Sequence, residues 1–255
     1  MSAPRIATVE ALGPGGARAR AAGHGVAMAA QLAERLRDMI VTGELAPGAR
    51  IIERRICEAL AVSRTPLREA LKLLEIDGLV EIHRHRGARV TPMVPEGARA
   101  LFEVLAELEG MAARLAAGRI APATLDTLER LHAEMVEHFR QNRRDAYFDL
   151  NSRIHQGLIA AAENPVLAET HAKLMVHAKR GRYMAILDER RFAEAMGEHD
   201  ALMAALRGRD AGAAERIWRR HLLRTGQTVI AVIGQGQVEG QGVGQGQGEG
   251  QGQPG

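Results

Sequence analysis

Cys57 is the only cysteine in this 255-residue chain, and aromatic residues make up just 3% of it. A lone thiol excludes an internal disulfide and suits a reducing compartment. The scarcity of aromatics leaves the core to aliphatic side chains, and the abundance of Ala, Leu, Arg and Glu favours helices. No apolar run approaches the roughly 20 residues that cross a bilayer. The N-terminus has early arginines but no continuous apolar stretch, so it does not read as a signal peptide. These absences point to a cytoplasmic protein with no membrane partner. Neither charge sign dominates: 34 Lys and Arg stand against 31 Asp and Glu, a net charge of +3. The surplus is local, with 14 basic against 10 acidic residues up to Pro92 and 20 against 21 beyond it.

That basic portion is also the most patterned. Leu32, Leu36, Met39 and Ile40 recur at helical spacing and Gly43 stops the run. Pro47-Gly48 is a turn, Ile51 and Ile52 lead into a helix over Glu53 to Leu60, and Ala61-Val62 turn the chain again. Ser63 is a suitable N-cap for the next helix, and Pro66 falls in its first turn, where a missing N–H costs little. Asp77-Gly78 ends that helix. Leu79 to Ile82 and Ala88 to Val90 alternate like two short strands joined by His83-Arg84-His85-Arg86-Gly87. The expectation is a helix-turn-helix followed by a basic hairpin. Arg64 and Arg68 share one helix face, Thr65 lies at the helix start, and a glycine at the hairpin tip permits close approach to phosphate. Such a face is also what a merely solvated helix would show, and both readings stand at this level.

Beyond Pro92 and Pro95-Glu96-Gly97 the chain shows helices alone. Their spans are about Ala98 to Ala117, with Leu101, Leu105, Leu108, Met111 and Leu115 on one face, then Ala123 to Gln141 and Arg144 to Ala162. A short helix from Pro165 follows, then Arg190 to Arg207 and Ala211 to Ile230. The expected organisation is a flexible arm over residues 1–26, a DNA-binding domain over 27–92, a linker over 93–97, a helical domain over 98–233 and a disordered Gly/Gln tail over 234–255. The ten histidines give few pairs with metal-ligand spacing. Asn151 and His155 share a helix face, Asp149 sits about 120° away, and the pairs His132/His138 and His171/His177 diverge. His199 and His221 lie among apolar neighbours, as core histidines and ligands both do. No carboxylate–histidine pair is evident as a general base, and no nucleophile motif is present.

The N-terminal segments Glu53-Arg54, Val62 to Leu71, Gly78-Leu79-Val80 and Arg86 to Val90 resemble the DNA-binding domain of GntR-type bacterial transcription regulators. The resemblance implies a mainly α protein: an N-terminal winged helix-turn-helix with a small β-hairpin wing, and a C-terminal all-helical bundle. It implies operator contacts by Arg54, Arg64, Thr65 and Arg68, with Gly87 near the minor groove, on a palindromic double-stranded DNA bound by a homodimer; Ser63 at the helix start and Arg86 at the hairpin tip are further DNA-binding candidates. The helical block resembles the FCD ligand-binding domain of the FadR subfamily through Leu108-Glu109, Asn151 to His155, Asn164 to Leu167, Glu198-His199 and Arg220-His221-Leu222. That likeness implies a divalent metal, Zn or Ni, on Asn151, His155, His199 and His221. Two departures stand out. Asn151 occupies a position where Asp is common, and Leu105 one where many members carry an effector-gripping arginine, so Arg153, Arg180 and Arg182 are the candidates to bind a small carboxylate or sugar-acid effector. The expected function is a metabolite-responsive repressor. A metal or redox sensor without an organic effector is the alternative, and a metal-dependent hydrolase a remoter one.

Overall fold

The computed structural model describes the backbone of residues 14–84 and 86–242, and side chains over 27–84 and 86–235. These residues form two compact units, one from the chain up to residue 40 with 48–91, the other from 41–47 with residue 92 onward.

In the first unit, α1 (Pro14–Thr42) leads to β1 (Arg50–Ile51), α2 (Glu53–Leu60), α3 (Arg64–Ile76), β2 (Val80–His83) and β3 (Gly87–Val90). Leu32, Leu36, Ile40, Ile56, Leu67, Leu71 and Leu74 are buried, the periodic residues of three amphipathic helices. Ala61 adopts φ 53 at the α2 C-cap, and the N–H groups of Ala61 and Val62 both reach the Cys57 carbonyl. This closes the tight turn between α2 and α3. Arg37 Nε donates to Asp77 Oδ2 at 2.9 Å, tying α1 to the end of α3. The expected two-stranded wing is in fact a three-stranded antiparallel sheet, β1-β3-β2, with Arg50 opposite Arg89 and Ile51 opposite Ala88. A two-residue strand is too short to show alternation. Its pairing is made by Gly48, whose N–H donates to the Val90 carbonyl after the Pro47-Gly48 turn.

The second unit packs α4 (Pro95–Arg119), α5 (Pro122–Arg140), α6 (Arg144–Ala161), α7 (Pro165–Leu187), α8 (Glu189–Arg207) and α9 (Ala211–Gly242). The most extensive pairing is between α4 and α9. Small residues permit it: a Cβ on Gly226 would stand 2.6 Å from Phe102 Cβ, and one on Gly110 would stand 3.1 Å from Arg219 Cβ. Accordingly the most buried face of α4 is Phe102, Ala106, Glu109, Ala113 and Ala117. The leucine stripe expected to face the core is half-buried at its margin except for Leu105.

Four boundaries differ from expectation. Pro95 is the first residue of α4, where proline's fixed φ suits the helix, so the segment expected to link the domains over 93–97 is shorter. The helix from Pro165 is 23 residues long rather than short; its buried residues are Leu167, His171, Ala178, Arg180, Gly181, Arg182, Ala185 and Ile186, and the His, Arg and Gly positions interrupt the apolar period. Helix α1 reaches back to Pro14, inside the expected flexible arm, through a run in which Ala and Arg alternate with glycines. Helix α9 continues to Gly242, inside the expected disordered tail. Residues 1–13 and 243–255 of those two expected segments lie outside the described residues.

Candidate nucleic-acid interface and metal centre

The N-terminal candidates fall on three consecutive pieces of the first unit. Ser63 is the N-cap of α3 with extended backbone, and its hydroxyl makes no cap hydrogen bond. Arg64, Thr65 and Arg68 follow on the first turns of α3, all exposed. Arg68 Nε lies 3.1 Å from Glu53 Oε2 and Arg54 NH1 lies 3.5 Å from Glu58 Oε1. Exposed pairs of this kind contribute about 1 kcal/mol or less, so these guanidinium groups exchange partners readily. Arg86 is exposed, and its backbone N–H donates to the His83 carbonyl to close the wing turn. Gly87 has φ +79, a conformation that disfavours any side chain, and lines one groove with Arg68, Lys72 and Arg84 and another with Arg50, Arg86 and Arg89. The result is a basic surface built from a helix start and a sheet tip.

In the second unit, α6, α8 and α9 bring His155, His199 and His221 together, one ring nitrogen of each within 4.8 Å of the others. All three are buried, at 1%, 0% and 4% exposure. Burial pushes the His155 imidazole down to about 3, with the Arg182 charge adding to it and Glu109 opposing. Burial likewise depresses His199 far below its ordinary range, and His221 in the same direction. The three rings are therefore neutral near pH 7 and carry lone pairs.

Two carboxylates set where those lone pairs point. Glu109, fully buried on α4, lies 2.5 Å from His155 Nδ1 and 3.0 Å from His171 Nε2, and accepts from Trp218 Nε1 at 2.9 Å. Burial would raise this carboxyl, but the pull of His155, the hydrogen bonds of His155 and His171 and the Arg182 charge hold it well below its usual range. An ionised carboxylate only accepts, so His155 donates through Nδ1 and its Nε2 keeps the lone pair. Glu198 does the same for His221, with Oε2 2.8 Å from Nδ1. Burial opposes its ionisation, and the hydrogen bond from His221, with the charge and hydrogen bond of Arg191, bring it down to about 2. Arg191 NH2 donates to Glu198 Oε2 at 2.7 Å, to the His221 carbonyl at 3.1 Å and to Thr225 Oγ1 at 3.2 Å. Trp218 stacks on the His221 ring with centroids 4.4 Å apart.

These supports leave several polar atoms bare. His155 Nε2, both ring nitrogens of His199, Asn151 Oδ1, Arg182 NH2, and Arg191 Nε and NH1 are buried without a hydrogen-bond partner. A buried polar atom without a partner costs about 1–3 kcal/mol. Three imidazole nitrogens and an amide oxygen are a donor set that fits Zn or Ni and leaves further positions open. Asn151, Arg182, Arg191, His221 and Thr225 line a cavity of about 10 Å³, which His155 and His199 do not line.

Of the sequence candidates, the structure thus gathers His155, His199 and His221, with Asn151 one turn before His155 and Arg182 on the cavity wall. Arg180 is buried but does not line that cavity, and Arg153 lies on the surface, because it sits on the outward face of α6 beside the inward Ile154 and His155. Sequence reasoning found no evident carboxylate–histidine pair, whereas the structure has two, Glu109–His155 and Glu198–His221. A charged residue among Leu105, Ala112 and Ala113 on an apolar helix face was the available signal for Glu109. Arg191 and Thr225 gave none.

Residues 28–90 match the family described as bacterial regulatory proteins, gntR family, and residues 100–224 match the FCD domain. An uncharacterised HTH-type transcriptional regulator in an unstable DNA locus of Streptomyces ambofaciens is 32% identical over 197 residues, 74% of this chain and 79% of that protein. The HTH-type transcriptional repressor RspR of Escherichia coli strain K12 is 29% identical over 195 residues, 76% of this chain and 85% of that one. The chain spans between 57% and 85% of the length of the first three curated relatives it matches. Among solved structures, E. coli McbR/YncC superposes with a TM-score of 0.68 at 24% identity, over 82% of this chain and 98% of that one, which is a likeness of fold.

Proposed function

The chain belongs to the GntR family of bacterial regulatory proteins and carries an FCD domain, and from that premise we propose that it is a cytoplasmic repressor relieved by a small carboxylate that binds beside a divalent metal. As a member of that family it is a DNA-binding transcription regulator and not an enzyme, so the hydrolase alternative falls away. No helix among the described residues is long and apolar enough to cross a membrane. In the proposed complex a homodimer sets two copies of α3 in successive major grooves of a palindrome. Arg64, Thr65 and Arg68 read or flank bases, Arg54 and Ser63 hold phosphate, and Arg86 and Gly87 follow the backbone at the wing. The naming of the E. coli relative as a repressor supports that sign of regulation.

The observation that carries the effector half is the buried cluster of His155, His199 and His221, one ring nitrogen of each within 4.8 Å of the others, with Asn151 Oδ1 buried and without a hydrogen-bond partner one turn before His155. These four residues would hold Zn or Ni, which when bound supplies a Lewis-acidic position for an oxygen ligand. Glu109 and Glu198 fix the ring tautomers, and Trp218 stacks on His221. Arg182, on the cavity wall with a bare NH2, meets one carboxylate oxygen in the place of the arginine that Leu105 does not provide. The ligated state then favours one arrangement of the DNA-binding units over another, a population shift.

One observation favours the narrower reading in which the metal itself is the signal: a cavity of about 10 Å³ has room for one water, not a metabolite. A gel shift with DNA upstream of the protein's own locus separates the readings. The proposal expects salt-sensitive, sequence-specific binding by the metal-loaded protein, released by a small carboxylate. Release by a chelator alone, with carboxylates inert, makes it a metal sensor. No specific binding under any condition overturns the regulatory reading.

A further inference from the structure

We propose that the outer face of the wing sheet is a second phosphate-binding surface, on which Arg50 and Arg89 hold the backbone at the far side of the minor groove; the proposal rests on the DNA-binding reading above. Gly87 borders two basic grooves. One is bounded by α3 and holds Arg68, Lys72 and Arg84, together with the carboxylate of Glu53. The other is lined by Arg50, His83, Arg86, Gly87, Ala88 and Arg89, three guanidinium groups and no carboxylate. Its arginines come from β1, the wing turn and β3, so this groove exists only because the two-residue strand β1 joins the sheet.

Strand alternation sends Ala88 and Val90 into the core, both buried, and leaves Gly87 and Arg89 on the outer face. Arg50 and Arg89 stand directly opposite each other on β1 and β3, and both are exposed. Like charges in that position repel and lower stability. Arg50, Arg86 and Arg89 have no ion-pair partner among the described residues, whereas Arg54 and Arg68 each meet a glutamate. The acid opposite Arg89 on β2 is Glu81, and its Oε2 lies 3.3 Å from His83 Nε2. Arg50 also reaches toward the wing tip: a Cβ on Gly87 would stand 4.0 Å from its Nε. The bare glycine thus leaves that guanidinium open beside the point of closest approach to DNA. A tip in the minor groove, about 6 Å wide, has a phosphate backbone on each side. Arg68, Lys72 and Arg84 face one backbone, and Arg50, Arg86 and Arg89 face the other. Such contacts read no bases; they fix the depth and tilt of the wing.

The test uses full-length protein and the operator duplex found by gel shift. Arg50→Gln and Arg89→Gln should each weaken binding about 5- to 10-fold near 0.1 M salt, reduce the salt slope by about one, and leave discrimination against non-operator DNA unchanged. Glu81→Gln, which removes a competing negative charge, should strengthen binding. Single phosphates are then replaced by neutral methylphosphonates along both strands. Arg50→Gln should lose sensitivity at a phosphate on one strand beside the wing, and Lys72→Gln at a phosphate on the other strand. The melting temperature of DNA-free Arg50→Gln should equal or exceed that of the parent, because a like-charge pair is removed. Weaker binding with a lower melting temperature, or with every phosphate still as sensitive as in the parent, makes Arg50 structural and overturns the proposal. Pyrophosphate bound by the DNA-free protein and lost in Arg50→Gln, with DNA binding untouched, also overturns it and makes the groove a site for a small free anion. Operator binding by both arginine variants equal to the parent's overturns the proposal and leaves the regulatory reading in place. No specific DNA binding by the parent overturns both.

Discussion

Glu109 accepts N–H donors carried by α6, α7 and α9, so a single carboxylate on α4 joins four helices at the histidine cluster. Its replacement by glutamine keeps the shape but puts an NH2 group where an acceptor oxygen was, and frees His155 to change tautomer. Glu109→Gln should lower stability by about 1–3 kcal/mol and weaken Zn or Ni binding by about 10- to 100-fold, measured by urea unfolding and metal titration; unchanged metal affinity would show that His155 needs no orientation by Glu109. The neighbouring histidines make stability pH-dependent. The folded values of His155, His199 and His221 lie below the ordinary 6.5, so as pH falls the unfolded chain takes up protons first. Their contribution is complete above about 6.5 and is lost below it, by up to about 1.4 kcal/mol per pH unit for each ring. Glu109 and Glu198, held low, act in the same direction in more acid solution. The melting temperature of the metal-free protein should therefore be level near neutrality and drop below about pH 6.5. A rise in that range would be inconsistent with neutral buried rings.

At the scale of elements, the close pairing of α4 with α9 depends on missing side chains. A Cβ on Gly226 meets Phe102 Cβ at 2.6 Å and Cγ at 2.9 Å, atoms fixed near the α4 backbone, so the helices would have to separate. A Cβ on Gly157 meets Leu128 Cδ2 at 2.5 Å, but that is the far end of a flexible side chain and the next atom is 3.7 Å away. Gly226→Ala should cost about 1–3 kcal/mol or more, whereas Gly157→Ala should come out near neutral once the better helix propensity of alanine, about 1 kcal/mol, is counted. Chemical denaturation of the two variants tests the order, and equal losses would place the constraint elsewhere. The helices α3, α5, α6 and α8 were legible in sequence because each carries an apolar period. Helix α7 was not, since its buried residues include His171, Arg180, Gly181 and Arg182, which only the surrounding polar site makes suitable for an interior.

At the scale of the molecule, the net charge is only +3, and the basic surplus lies in the residues up to Pro92. Electrostatic attraction to DNA should then come from that unit. Arg86→Ala should weaken binding to all sequences alike and reduce the salt slope by about one, whereas Arg64→Ala should lose about 1–3 kcal/mol of discrimination against non-operator DNA. Titrations over a series of salt concentrations check both, and a salt slope untouched by Arg86→Ala would remove the wing from the phosphate-contacting surface.

The sequence by itself determined the helical class, the order of the turn between α2 and α3, the basic hairpin and the family of regulators to which the chain belongs. Those properties are local: caps, turns and periods act over a few residues, and the long ordered run from Val62 to Leu71 is contiguous. The tertiary structure alone decided that β1 joins the wing, that Arg182 and not Arg153 faces the cavity, and that Glu109, Arg191 and Glu198 support the histidines. Glu109 and His155 are 46 positions apart, Glu109 and Trp218 are 109 apart, and Arg191 and His221 are 30 apart. Charge and hydrogen-bond balance in a buried site depends on which groups the packing brings together, and no local pattern records that.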